Sequence, residues 1–105
     1  MIEAAFICAN CHVTGFAVSG HAGYADSGKD IVCAAVSSAV QLTANGITEI
    51  LHYPAEVSAE GDTVRLHTSG ELPEGVQAML DAFRLHIELL RDDYPKFIRI
   101  RYLEV

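Results

Sequence analysis

Hydrophobic and polar residues alternate in two parts of the chain, each made of two short segments. Residues 2–8 (IEAAFIC) and 13–20 (VTGFAVSG) are apolar and are joined by four residues, a pattern that predicts a β-hairpin. Residues 55–59 (AEVSA) and 63–68 (TVRLHT) flank the turn signal Glu60-Gly61-Asp62 and predict a second hairpin. These four segments are therefore expected to form two antiparallel pairs of strands.

Two longer segments have the three-to-four-residue periodicity of amphipathic helices. The first starts at Ile31 and ends before Tyr53 and Pro54. Its apolar stripe consists of Val32, Val36, Ala39, Val40, Thr43, Ile47, Ile50 and Leu51. The second ends at residues 92–95, and its stripe consists of Val76, Met79, Leu80, Phe83, Ile87 and Leu90. Each helix is expected to bury one face.

The last ten residues, KFIRIRYLEV, predict a fifth strand. Ile98, Ile100 and Tyr102 share one face of it, while Arg99 and Arg101 share the other and are expected to pair with nearby carboxylates. The element order is therefore ββαββαβ. Two helices that each bury one stripe predict an α+β fold, a two-layer sandwich of a mostly antiparallel sheet and two helices, in a single domain over residues 1–105.

Composition and charge narrow the classes of function. Half of the 105 residues are hydrophobic, as in a globular domain. The formal net charge of −7 argues against binding to nucleic acid and favours a basic protein partner. No apolar run is expected to reach the roughly 20 residues of a membrane span, and we see no export signal. We therefore expect a cytoplasmic protein that has no membrane partner and keeps its three cysteines reduced.

The segment SGHAGYADSGKDIVCAAVSSA, residues 19–39, carries the candidate chemistry. Cys33 lies near the start of the first predicted helix, where the dipole favours the reactive thiolate form of cysteine. With Asp30 as the N-cap, Cys33 is the third helical residue. With Ser27 as the N-cap and Asp30 closing a capping box, Cys33 lies nearly two turns inside the helix. We favour Asp30, because residues 27–29 are typical of a loop.

A histidine precedes the cysteine in the same segment. His21 follows a predicted strand, and the nearby glycines Gly20 and Gly23 permit the loop to fold back toward Cys33. A thiolate–imidazolium pair performs acyl transfer through a thioester, and the free amides of residues 31–33 are candidate donors to the oxyanion. The alternative remains open that Cys33, a small residue among alanines, only packs in the core.

Other motifs give weaker indications. The glycine-rich loop lacks the spacings of phosphate-binding and dinucleotide-binding loops. The string CANCH, with Cys8 and Cys11, fits a haem-attachment pattern or half of a zinc site, but a hairpin turn is the favoured interpretation because no second ligand pair has matching spacing. We expect neither a metal ion nor another cofactor.

The block SGHAGYADSGKDIVCAAVSSAVQ, together with the later Asn45-Gly46-Ile47, closely resembles the ribosomal-processing cysteine proteases of the Prp family. The resemblance implies a small cytosolic endopeptidase that removes the amino-terminal extension from a basic protein of the large ribosomal subunit. It implies that His21 is the catalytic base and Cys33 the nucleophile. It also implies that Asp30 orders the site and that Ser37 lines it.

The same resemblance implies a homodimer whose loop between the histidine and the cysteine closes over the substrate. In this chain that loop consists of Ala22, Gly23, Tyr24, Ala25, Asp26, Ser27, Gly28 and Lys29. The implied substrates carry aromatic residues just before the scissile bond and a small residue after it, which makes Tyr24 a candidate contact for an aromatic substrate side chain. Two alternatives belong to other classes: a non-catalytic ribosome-assembly or peptide-binding module, and a different thiol acyl-transfer enzyme such as an amidase.

Overall fold

A computed structural model gives the fold and describes residues 1–26 and 30–105 of the chain. The observed order confirms the predicted ββαββαβ arrangement: β1 (Ile2–Ala9), β2 (His12–Ser19), α1 (Ile31–Asn45), β3 (Glu56–Glu60), β4 (Thr63–His67), α2 (Glu74–Asp93) and β5 (Ile98–Glu104). A single π-helical turn, Gly46–Ile50, extends α1. The predicted α+β two-layer sandwich with a mostly antiparallel sheet is confirmed.

The five strands form one sheet in the order β3-β4-β2-β1-β5. The pairs within each hairpin, and the β2–β4 pair, are antiparallel. Strand β5 pairs in parallel with β1, from Ile2 opposite Ile98 to Cys8 opposite Glu104. The first hairpin therefore lies inside the sheet, and His21 follows a central strand rather than an edge strand.

The turn of the first hairpin is tighter than the predicted four-residue connection. Ala9 pairs with His12, which leaves only Asn10 and Cys11 in the turn. Both have positive φ, 54° and 67°, as two-residue turns of the I′ type require. The CANCH string is thus a hairpin turn, the interpretation that the sequence favoured.

Both helices bury their apolar stripes in one core that includes the sheet. At its centre Phe83 of α2 contacts Phe16 and Phe6, with ring centroids 4.6 and 5.8 Å apart. Two positions predicted for the buried stripe of α1 are wrong: the side chains of Ile50 and Leu51 are exposed. The wider π-helical turn, which includes Ile50 and ends directly before Leu51, changes the phase of the helix and takes both residues off the buried face.

We expected no segment with the length and apolar composition of a membrane span, and this expectation is wrong. Residues Ile31–Ile50 form a 20-residue helical stretch in which 18 consecutive residues have a mean hydropathy of 1.4. A third of that stretch is buried within the domain, through residues such as Val32, Val36 and Val40 that pack in the core. Core helices of globular proteins have the same profile, so the stretch is weak support for a span.

Candidate active site

Several of the predicted site residues line one cleft at the end of β2, but Ala22 of the predicted substrate loop is buried in the core instead. His21, Asp30, Cys33 and Ser37 surround the cleft together with Gly23, Ala25 and Ala34, and its volume is about 640 Å³. His21 lies two residues beyond the end of β2, whereas Cys33 and Ser37 lie one turn apart at the start of α1. His21 is exposed and Cys33 is half-buried, so solvent and a peptide have access to both side chains.

Asp30 is the N-cap of α1, as predicted. Its backbone is extended, with φ −81° and ψ 97°, and its Oδ1 accepts a hydrogen bond of 2.9 Å from the Cys33 amide. Its Oδ2 accepts a second bond of 3.2 Å from the Tyr24 amide. The alternative N-cap, Ser27, lies outside the described residues, as do Gly28 and Lys29 of the predicted substrate loop.

The hydrogen bonds to Asp30 stabilise its charge. The Cys33 amide contributes most, followed among the donors by Tyr24, and together they hold the pKa of the Asp30 carboxyl below its usual range despite some desolvation. The same bonds change one expectation from the sequence. Because the Cys33 amide already donates to Asp30, the prediction that it is free to stabilise an oxyanion is wrong.

Tyr24 packs against the protein rather than standing free in the cleft. Its ring lies edge-on to Phe97, with centroids 5.3 Å apart, and to Tyr94, with centroids 5.8 Å apart. Both partners belong to the connection between α2 and β5. The sequence offered no signal for this contact beyond the presence of two aromatic residues about 70 positions away. The suggested contact of Tyr24 with substrate remains untested.

A smaller apolar recess, which the sequence analysis did not identify, opens beside the nucleophile candidate. Cys33 and Ser37 line it, and its volume is about 120 Å³. Helix α1 and strands β1, β2 and β4 supply most of its remaining wall, which is largely apolar. The residues of this wall are Ile2, Val18, Ser19, Gly20, Val36, Val40, Gln41, Asp62 and Val64. The pair Val36 and Val40, four residues apart on the helix, was the only signal for it in the sequence.

The two other cysteines lie away from the cleft. Cys11 is exposed at the tip of the first hairpin and Cys8 is buried in the core, where desolvation raises the pKa of its thiol, with a smaller effect from the charge of Glu104. His12 places its Nδ1 3.4 Å from Asp81 Oδ2, which ties the hairpin to α2. Within residues 1–26 and 30–105, no three His, Cys, Asp or Glu side chains are grouped to hold a metal ion.

Solved structures similar to this chain share its whole fold. SMU.848 from Streptococcus mutans is 28% identical with a TM-score of 0.85, and the match covers 100% of this chain and 96% of that one. An essential ribosomal processing protease Prp from S. aureus, in complex with a covalently linked product peptide, is 22% identical with a TM-score of 0.87. That match covers 97% of this chain and 99% of the S. aureus chain.

A second structure of the S. aureus protease, in complex with a substrate peptide, is 21% identical with a TM-score of 0.81 over 97% of this chain and 99% of that one. No curated protein matches the sequence. A family model described as cysteine protease Prp matches residues 1–99, nearly the whole chain. The chain therefore belongs to the cysteine protease Prp family and is a cysteine peptidase.

Proposed function

We propose that this peptidase removes the amino-terminal extension of a basic large-subunit ribosomal protein precursor, with Cys33 as nucleophile and His21 as its base. The observation that carries the proposal is the cleft that His21 and Cys33 line together with Asp30 and Ser37. These are the residues that the family motif assigns to the site. The reaction needs no metal ion or other cofactor, because a thiolate and an imidazole supply the nucleophile and the proton transfers.

The proposed reaction has two halves. In the first, the Cys33 sulfur attacks the scissile carbonyl carbon while its proton passes to His21, which then protonates the leaving amine as the carbon–nitrogen bond breaks. The product is a thioester between Cys33 and the amino-terminal fragment. In the second half, His21 takes a proton from water while the water oxygen attacks the thioester carbonyl. The carbon–sulfur bond then breaks, the amino-terminal fragment leaves as a carboxylic acid, and His21 returns the proton to the sulfur. Asp30 keeps the start of α1 and the adjoining loop in place.

The recess beside Cys33 supports the proposed preference for an aromatic residue just before the scissile bond. A cavity of roughly 150 Å³ lined by aliphatic side chains is known to hold one benzene ring. The recess here is about 120 Å³ and Cys33 lines it, so an aromatic residue whose ring enters it would have its own carbonyl near Cys33. The net charge of −7 would attract a basic precursor.

We further propose that the protein acts as a cytoplasmic homodimer, that it contacts neither nucleic acid nor membrane, and that its dimer forms through the outer surface of the two helices. A groove of about 560 Å³ runs between α1 and α2, and none of the described residues that line it is Asp, Glu, Lys or Arg. Leu42 stands at this groove and is 71% exposed. Since two acidic copies repel each other, a surface without acidic residues favours their pairing.

The oligomeric state tests this surface. Leu42→Glu places a charge on it, whereas Leu103→Glu places the same charge on an exposed leucine of β5, away from the helices. Sedimentation velocity is expected to give a dimer for the native protein and for Leu103→Glu, and a monomer for Leu42→Glu. A native monomer, or a dimer that tolerates Leu42→Glu, would contradict the proposed dimer surface.

Mass spectrometry of a peptide with a Phe-Phe-Ala junction tests the proposed activity. The native protein and Cys11→Ala, which removes an exposed cysteine away from the cleft, are expected to cut it once. Cys33→Ala is expected to leave it intact, and His21→Ala to lose several orders of magnitude in kcat/KM. Cutting by Cys33→Ala would refute the mechanism. Tight binding of the peptide by the native protein without cleavage would favour the peptide-binding module.

A further inference from the structure

The backbone on both sides of Tyr24 forms one wall of the active-site cleft, while the Tyr24 ring lies outside it. Gly23 and Ala25 line the cleft, whereas the Tyr24 ring packs against Tyr94 and Phe97. The side chain therefore contacts the rest of the domain at the point where the cleft wall is built. Tyr24 is about 45% exposed, and the ring contacts described for it are those with Tyr94 and Phe97.

The surface that receives Tyr24 is itself fixed by backbone hydrogen bonds. The Tyr94 amide donates to Leu90 O at 2.9 Å, which closes the end of α2, and the Phe97 amide donates to Tyr94 O at 3.0 Å. Phe97 O in turn accepts a bond of 2.9 Å from Ile2, the first residue of the central strand β1. Tyr94 and Phe97 are thus a firm support, because the helix, their own turn and the sheet all hold them.

From Tyr24 the contact continues to the nucleophile candidate. The Tyr24 amide donates to Asp30 Oδ2, and Asp30 Oδ1 accepts from the Cys33 amide. The Asp30 carboxylate thus connects Tyr24, whose ring anchors the loop, with the first turn of α1. A shift of Tyr24 would therefore move the cleft wall and weaken one of the two bonds that position Asp30.

We propose that Tyr24 is a positioning residue for the peptidase, acting through its ring contacts with Tyr94 and Phe97. This inference rests on the proposed function and adds a determinant of substrate binding to it. Without the ring contacts, the cleft wall is assembled in a smaller fraction of the molecules. The apparent affinity for substrate falls in proportion to that fraction. Because bound substrate selects the assembled form, KM is expected to rise while kcat changes little.

Steady-state cleavage of the Phe-Phe-Ala peptide tests this role. Tyr24→Ala is expected to raise KM about tenfold, a factor equal to about 1.4 kcal/mol, with kcat within about twofold of native. Tyr24→Phe keeps the ring and is expected to restore native KM. Leu103→Ala, at an exposed residue of β5 that does not line the cleft, is the control and is expected to behave as native.

Two further measurements connect the effect to the ring contacts. Phe97→Ala is expected to raise KM, and Tyr24→Ala combined with Phe97→Ala to be no worse than Tyr24→Ala alone, because both remove the same contact. Amide hydrogen exchange of residues 22–26 is expected to be faster in Tyr24→Ala than in Tyr24→Phe. Native KM in Tyr24→Ala, with cleavage by the native protein, would overturn this inference alone. An intact peptide with the native protein would overturn the proposed function and this inference with it.

Discussion

Gly20, directly before His21, is expected to be one of the least replaceable residues near the site. Its φ is +90°, and a Cβ built on it would lie closer than 3.0 Å to the Met1 carbonyl oxygen. That oxygen has little freedom to move, because the next residue, Ile2, is buried and donates its amide to Phe97 O. Gly20→Ala therefore combines a disfavoured backbone angle with a backbone clash.

Gly23→Ala separates these two effects. Gly23 also has a positive φ, +71°, but nothing lies within 4 Å of a Cβ built on it. The positive φ destabilises the folded state of each variant by about 1–2 kcal/mol. Alanine has less conformational freedom than glycine in the unfolded chain, which stabilises each variant by about 0.4–1 kcal/mol. Only Gly20→Ala adds the clash, typically about 1–3 kcal/mol. The two variants are thus expected to differ by about 2 kcal/mol in their free energy of unfolding.

Urea unfolding followed by circular dichroism measures that difference directly. Thermal unfolding should show Gly20→Ala melting roughly 10 °C below Gly23→Ala, given about 4–8 °C per kcal/mol for a domain of this size. Gly20→Ala should also lose more peptidase activity than its stability explains, because any shift of the backbone moves His21. Equal stability of the two variants would show that the Met1 carbonyl does not confine Gly20, and the reasoning would fail.

Three further predictions concern the cap, the core and the free thiols. The pKa of Asp30 is lowered on folding, so its charge stabilises the native state above about pH 4, and this contribution is lost at lower pH. The melting temperature of Asp30→Asn should therefore fall less between pH 7 and pH 3 than that of the native protein. Phe83→Ala should cost about 3–5 kcal/mol in urea unfolding. Iodoacetamide should label exposed Cys11 faster than buried Cys8, as followed by mass spectrometry.

The sequence predicted the helices and strands of the fold, but it did not predict how all of the strands pair. Alternating and helical periodicities are local, so they predicted both hairpins, both helices and the strand that carries Ile98, Ile100 and Tyr102. The parallel pairing of β5 with β1 joins segments more than 90 residues apart and leaves no local pattern. The π-helical turn also escaped prediction, because its residues keep the apolar spacing of an ordinary helix while the backbone changes phase.

Parts of the candidate site followed from the sequence for the same reason. Asp30 as the N-cap is a local feature that residue type and spacing reveal. The contact of Tyr24 with Phe97 and the recess beside Cys33 depend on how distant elements pack, and composition gives no measure of that. Of the outward-facing arginines of β5, Arg99 pairs with Glu3 at 3.5 Å as expected, since the two are opposite each other in the β1–β5 register.

The position of Asp30 determines which group must activate the thiol in the proposed mechanism. A helix start favours a thiolate through unpaired amides and the positive end of the dipole. Here the Cys33 amide is already bonded to the Asp30 carboxylate, and that carboxylate shares the cleft with the sulfur. That amide is therefore not an unpaired donor for the proposed reaction. The proposed mechanism therefore depends on His21 to take the Cys33 proton, and we expect loss of His21 to cost far more than a tenfold change in rate.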